Sequence, residues 1–576
     1  MAISRKFFPT KILIPLAILA PFLGAAVMVY GSPLAPDLGL YLHLKTGELA
    51  WTSGQPVARD AFSFTAVGQP DEVHSWLAQI VFYLLHAKFG EFGLRFLNLA
   101  LVWGALLACA NYVWQKTRSA AMTGFAACAA LLVHHSVQVI RPLLFGECFT
   151  VLLLANLLRE PKILSGRKIA TVILLVVLWA NLHGSVLIAI PLAAIYCVAL
   201  WFALPRPRPK SKLVLSSLLL PLWVTLAAFV NPAGVASLRM AWELNQIGKL
   251  SGVWEWQSAL PLALLTSESH ATQLWIGTEP RNLLILIGVP LLLLFAARAP
   301  KKKRVDCYYP VAQSFFAFFL AMVSQRHTAY LLFPAAAFAE ALFFISVAAH
   351  LPRYQARREA QWATLGITLL FVFPVYQSGY ALPSVKKSVD FIEDADLKGN
   401  LFNFPGWGSY LTYRLFPKIK VAYDRRLWIH RHYFEKEHEQ TKNFGGVILS
   451  ELVHDLPDSD LAMFHSEIDL TKSLGGSDWI LIFENNEASI ALRRGEKNAA
   501  NLERVMTYYH RRGVDFDPDK GFDVKKAFQS SPGWVVSNQE NMEWGLWPER
   551  IRKDKWEEAR KSFFVKHAIA LLPGIL

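Results

Sequence analysis

Residues 186–212 read VLIAIPLAAIYCVALWFALPRPRPKSK: nineteen positions without a charge, then four cations in eight positions. Wound as a helix at about 1.5 Å per residue, the uncharged part nearly crosses a hydrocarbon core about 30 Å thick. It lacks the polar stripe by which a helix of a soluble domain meets water. The cations that follow are what marks the interior end of a membrane span. Ten further apolar stretches lie at 12–30, 96–114, 120–137, 143–158, 169–180, 213–230, 283–297, 309–323, 328–349 and 362–376. The first is too long for a signal-peptide core and has no small-residue cleavage site, so it is expected to stay as a span.

The charge distribution supports this reading. Of 58 Lys and Arg, 21 lie in the links 1–11, 115–119, 159–168, 205–212, 298–307 and 350–360, against only Glu160, Asp306 and Glu359. The remaining 37 cations stand against 41 acidic residues, so the net charge of +14 belongs to one alternating set of links. That is the positive-inside pattern with a cytoplasmic amino terminus, and it accounts for the basicity without nucleic acid. Apolar residues make up 54% of the 576 and charged ones 18%, below the roughly 25% of soluble chains, which excludes an ordinary soluble enzyme. The five cysteines lie in or beside apolar runs, leaving none in the polar segments for disulfides.

The predicted fold class is therefore an α-helical polytopic membrane protein of about eleven transmembrane helices, residues 1–376, with an extracytoplasmic α/β domain at 377–576. The outer loop 31–95 is expected to carry two interfacial helices, one opening after Asp37 and one over 76–89 that is too short to span. A second outer loop covers 231–282. In the tail, strands are predicted at 401–404, 420–423 and 479–483, and helices at 434–443 and 501–510.

Charge near hydrocarbon is costly and is usually paired or functional. Asp37, His43, Asp60 and His74 in the first loop, Arg141 and Glu147, Asn181 and His183, Glu255, and Arg326 with His327 all fall at outer ends of spans. Each also has a structural reading. Asp37 is placed to N-cap a helix, Asp60 to hold a turn, His183 to bond backbone carbonyls, Arg141 to snorkel, and Glu147 to pair with Arg141. No His/Cys/Asp/Glu spacing is that of a metal site, and no cofactor is required; a divalent cation between Asp37 and Asp60 is allowed but nothing calls for it.

Residues 36–47 (PDLGLYLHLKTG), 59–65 (RDAFSFT) and 74–77 (HSWL) resemble bacterial membrane glycosyltransferases of the GT-C type, related to the dolichyl-phosphate-mannose and aminoarabinose transferases. Shorter pieces agree in order and spacing: RP at 141–142, WANLHG at 179–184, NP at 231–232, EW at 255–256, RH at 326–327, WGSY at 407–410 and VAYDRR at 421–426. The chain departs from such sequences in lacking an aromatic after Asp37-Leu38 and in carrying Ser75 where Glu is usual. The resemblance implies transfer of a sugar, with inversion, from a polyprenyl-phosphate carrier to a lipid, glycan or protein acceptor on the outer face of a bacterial cytoplasmic membrane. It puts Asp37 in the position of the general base, and Asp60 is the second catalytic candidate. Chemistry asks for the same parts, a carboxylate on the acceptor side and cations at the departing phosphate. Arg141, His183, Arg326 and His327 answer to the second, and Tyr410, Asp424 and Arg425 are acceptor-side candidates, although packing of the tail onto the membrane is the preferred reading of that motif. Two other classes fit the composition: a flippase of lipid-linked glycan, for which an inner gate and internal repeats are lacking, and an envelope scaffold.

Overall fold

The computed structural model describes residues 10–31, 39–71, 73, 75–134, 139–207, 211–250, 280–298, 304–323, 330–348, 365–366, 385–444 and 448–540. They form two compact units, one comprising 10–31, 46–57 and 73–366, the other 39–45, 58–71 and 385–540.

The first unit is helical. Its helices are α1 (Thr10–Gly31), the second half of α2 (Gly39–Ser53), α3 (Trp76–Thr117), α4 (Ala120–Val133), α5 (Leu143–Leu152), α6 (Gly166–Leu182), α7 (Ala189–Ala203), α8 (Lys212–Leu218), α9 (Leu220–Ala228), α10 (Ala236–Leu250), α11 (Pro280–Ala297), α12 (Arg304–Val323) and α13 (Leu332–Ala348). Serines start several of them: Ser119 Oγ accepts the Met122 N–H, Ser165 Oγ that of Lys168 and Ser211 Oγ that of Val214. Among the described residues, three helical segments are long and apolar enough to cross a membrane: 14–31 in α1, α3, and 184–203, the last including α7 and the turn before it. Segments of α4, α5 with its π-turn, α11 and α13 are apolar and shorter. The predicted span at 362–376 lies outside the described residues apart from 365–366.

Where lipid is the solvent, association rests on close packing of small side chains rather than on hydrophobic burial. The α1–α4 contact shows this, since a Cβ on Gly124 would stand 2.9 Å from the Ala17 carbonyl. Large apolar residues on the outer faces, such as Val27, Leu174 and Phe202, are exposed as a lipid-facing surface requires.

Residues 76–89 form the first arm of the 42-residue α3 (Trp76–Thr117), which Gly90 sets off from the arm that holds the expected span at 96–114. A straight helix of that length would reach about 63 Å, twice a bilayer core. Gly90, at φ 60° and ψ −147°, divides it into two arms, a conformation glycine adopts without the steric cost of a side chain. The stretch 143–158 is α-helical only to Leu152 and then widens into a π-turn over Leu153–Leu157.

The second unit has a five-stranded mixed sheet: β1 (Gly399–Asn403), β2 (Ile419–Val421), β3 (Leu461–His465), β4 (Trp479–Glu484) and β5 (Ala488–Arg493), in the order β2-β1-β3-β5-β4. The three strands β2, β1 and β3 run parallel, and β5 is antiparallel to both β3 and β4. Helices α14 (Lys386–Asp394), α15 (Pro405–Leu415), α16 (Arg431–Phe444) and α17 (Leu449–His454) are followed by α18 (Leu470–Ser473), α19 (Ala499–Arg512), α20 (Val524–Ser530) and α21 (Pro532–Ser537). One core packs Phe391 against Phe483 at 4.6 Å and against Tyr509, whose hydroxyl donates to the Ile482 carbonyl at 2.6 Å. α15 reaches the β2 end through Gly408, where a Cβ would lie 2.0 Å from the Tyr423 carbonyl oxygen.

Candidate functional site

In the helical unit the polar residues gather where α5, α6 and the turn after α6 meet. Arg141 precedes α5, its carbonyl accepting the Leu144 N–H at 3.1 Å. Glu147, one turn into α5, is fully buried with its Oε2 3.2 Å from Nδ1 of the buried His134. Beside it, Gly146 leaves room for Ser185, whose Oγ would be 2.2 Å from a Cβ there. His183 ends α6 and starts the 3-10 turn Gly184–Ile188. Its Nδ1 accepts the Ser185 N–H at 3.1 Å and lies 2.8 Å from Ser185 Oγ, which itself accepts Trp179 Nε1–H at 3.0 Å. With the Nδ1 lone pair directed at Ser185, the ring proton of a neutral His183 falls to Nε2, a donor on a half-buried ring. Asn181 joins the neighbouring pieces. It accepts Trp76 Nε1–H at 3.0 Å and donates to the Val177 and Val230 carbonyls, both at 2.8 Å. Asn231 then caps the following turn through Ala233 and Gly234.

In the α/β unit the segment 58–71 pairs beside the edge strand β2: Phe64 N–H donates to the Val421 carbonyl at 3.0 Å and Thr65 Oγ1 to the Ala422 carbonyl at 2.5 Å. An edge strand left open is a template for unwanted pairing, and this loop covers it. Asp60 is buried and organises the loop. Its Oδ1 accepts the Phe62 N–H and its Oδ2 accepts both the N–H and the hydroxyl of Ser63, the latter at 2.6 Å. These contacts are those of a turn residue.

Arg426 draws three carboxylates together. Its Nη2 donates to Asp60 Oδ1 at 2.6 Å and to Asp424 Oδ2 at 2.5 Å, its Nη1 to Asp71 Oδ2 at 2.7 Å, and its Nε to Asp424 Oδ1 at 2.9 Å. The guanidinium lies 5.3 Å from the Phe62 ring, Trp428 Nε1 donates to Asp71 Oδ1 at 3.2 Å, and His430 Nε2 is 3.5 Å from Asp424 Oδ1. Burial works to raise the Asp424 carboxyl, but Arg426 and then His430 outweigh it and hold the group well below its ordinary 3.8. Burial likewise opposes the charge on Arg426, and Asp424 and Asp71 overcome it, so the guanidinium binds its proton more tightly than usual.

Among the other named residues, Tyr410 is half-buried on α15. Its hydroxyl accepts Arg414 Nη1–H at 2.7 Å, its ring meets Tyr41 edge-on at 4.9 Å, and burial raises its pKa. His43 and Arg425 are half-buried. Asp37, His74, Glu255, Arg326 and His327 lie outside the described residues. The sequence reading did not single out Asp71, Trp428 or His430, and in the 421–426 motif it singled out Arg425 rather than Arg426. The available signal was the Asp424-Arg425-Arg426 run, in which Arg426 is buried and Arg425 half-buried.

A bundle of apolar helices and a mixed α/β domain in one chain have counterparts among solved structures. Two solved structures carry the likeness. The apo oligosaccharyltransferase of Archaeoglobus fulgidus aligns at a TM-score of 0.51 with 14% identity, over 78% of this chain and 69% of its own. AglB of the same organism, solved with an inhibitory peptide and a dolichol-phosphate, aligns at 0.52 with 12% identity, over 81% of this chain and 71% of its own. No protein-family model and no curated protein matches the sequence. At such identities the likeness is one of fold.

Proposed function

We propose that this chain is a membrane glycosyltransferase that moves a sugar from a polyprenyl-phosphate donor to an acceptor on the outer face of a bacterial cytoplasmic membrane. The observation that carries the reading is the fold shared with an oligosaccharyltransferase solved holding a dolichol-phosphate and a peptide. In this reading about eleven spans place the amino terminus inside and residues 377–576 outside, and the acceptor is a peptide, lipid or glycan.

Asp37 takes the proton of the acceptor hydroxyl as its oxygen bonds to the anomeric carbon with inversion, and the bond to the carrier phosphate breaks with its electron pair staying on the phosphate. Arg141, His183, Arg326 and His327 stabilise the departing phosphate; Arg suits it through a planar pair of donors. Tyr410 and Arg425 stand on the acceptor side, and Asp60 and Asp424 serve the loop that Arg426 holds. No cofactor takes part.

The test is sugar transfer from a labelled polyprenyl-phosphate sugar by the purified protein and its Asp37→Asn variant, with mass spectrometry of envelope glycans from a deletion strain to name the product. Transfer is expected to fall by about 10²-fold or more in the variant, with carrier binding kept. Unchanged transfer removes Asp37 as base, and movement of the labelled lipid with its phosphosugar bond intact makes the protein a flippase instead.

A further inference from the structure

Between α7 and α12 the helical unit has a groove of about 410 Å³ lined by Ala194, Ile195, Val198, Ala199 and Phe202 on one side and by Val305, Tyr308, Tyr309 and Ala312 on the other. On α7 these residues follow the three-to-four spacing of a single helix face, as they do on α12. The groove opens outward, since Val198 is 57% exposed, Phe202 67% and Tyr308 46%. Tyr309 turns its hydroxyl away, donating to the Leu158 carbonyl at 2.7 Å, so the lining offers an occupant hydrocarbon and ring faces.

One end is different. Arg206 follows the end of α7 by three residues and Arg304 opens α12, immediately before Val305; both are exposed. They belong to the links 205–212 and 298–307, which hold nine cations and a single acid. An apolar slot whose two helices each carry an arginine next to one end, three residues beyond α7 and at the first position of α12, matches a molecule with a hydrocarbon tail and an anionic head, and basic pockets between membrane helices recognise such head groups.

The geometry points to a bound anionic phospholipid, its acyl chain in the α7–α12 groove and its phosphate at Arg206 and Arg304. The site stands apart from Arg141 and His183 in sequence and in role. By the charge pattern these arginines belong to the interior face, so the lipid is a resident of the inner leaflet rather than the sugar carrier. Such a lipid fills the seam that two helices with small residues at 194, 199 and 312 leave between them.

The test is native mass spectrometry of the full-length protein, delipidated in detergent and then offered phosphatidylglycerol, phosphatidylcholine or a polyprenyl phosphate at equal concentration. Phosphatidylglycerol is expected to be retained about tenfold or more over phosphatidylcholine. Ala199→Trp and Ala312→Trp fill the groove and are expected to lower that retention about tenfold with an unchanged size-exclusion profile, whereas Leu174→Trp, on lipid-facing α6, leaves it unaltered. The Arg206→Gln/Arg304→Gln pair is expected to keep lipid but bind both phospholipids alike. Equal retention of the two phospholipids by the wild type, undiminished phosphatidylglycerol in the tryptophan variants, or preference for the polyprenyl phosphate overturns the proposal. Should the tryptophan variants fail to fold, the arginine pair on an intact groove decides: an unchanged preference overturns it.

Discussion

Replacing Arg426 by Met removes the one guanidinium that Asp60, Asp71 and Asp424 share. Surface ion pairs are worth about 0–1 kcal/mol, but this group is in another regime: the side chains of Arg426, Asp60, Asp71 and Asp424 are 5%, 0%, 6% and 0% exposed. Taking away one partner of a buried pair costs about 3–5 kcal/mol because the other charge stays behind without compensation. The upper end is expected, since three carboxylates lose the same cation. Methionine keeps much of the apolar stem that lies over Phe62, so the loss reports charge rather than a cavity.

The assay is thermal unfolding of the purified protein in detergent, with hydrogen exchange over 58–71. Protection is expected to fall at the amides of Asp60, Phe62, Ser63 and Phe64, whose bonds close the loop and pair it beside β2. The pH dependence separates charge from shape. In the wild type the folded pKa of Asp424 is depressed, so its contribution is complete above the unfolded value of 3.8 and is lost as pH falls through the lower folded value. Without Arg426, only His430 opposes the burial of the Asp424 carboxylate, and the stability gap to the wild type narrows as acid protonates that group. Adding Asp424→Asn to Arg426→Met is expected to recover part of the loss. A variant as stable as the wild type at pH 7, or one whose deficit stays constant from pH 7 to pH 4, refutes the reasoning.

Gly408→Ala gains about 1 kcal/mol of helix propensity but puts a Cβ 2.0 Å from a backbone carbonyl that cannot swing aside, so a net loss of thermal stability in the α/β unit is expected, and an unchanged or raised melting temperature contradicts it. Gly146→Ala collides with Ser185 Oγ, so its cost and that of Ser185→Ala should be less than additive in melting experiments; costs that add within about 0.5 kcal/mol refute the contact. His465, half-buried beside Trp407 at 4.4 Å and Phe404 at 4.8 Å, has its pKa lowered from 6.5 chiefly by burial. The unfolded chain therefore takes up a proton first as pH falls below 6.5, stability drops in that window, and His465→Phe should flatten the slope of melting temperature against pH.

How much of this the sequence disclosed follows from what each feature depends on. The apolar runs were legible because hydrocarbon imposes composition over some twenty positions at once, and their starts at Ser119, Ser165 and Ser211 carry the ordinary capping signal. The break at Gly90 was legible too, because Phe89-Gly90-Glu91 reads as a separator between two runs and the helical conformation is interrupted at that glycine. Strands β1, β2 and β4 showed as β-rich runs near turns, whereas β3 (LAMFH) and β5 (ASIALR) carry little β-branching and take their state from the neighbours they pair with. The acid cluster is least legible. Asp60 and Asp71 meet Arg426 across 366 and 355 residues of chain, and the choice between Arg425 and Arg426 turns on which side chain the backbone after β2 directs inward. Local sequence could give the residue types, but the meeting of one arginine with three aspartates is fixed by the path of a loop along a sheet edge, and charge alone does not write that path into the chain.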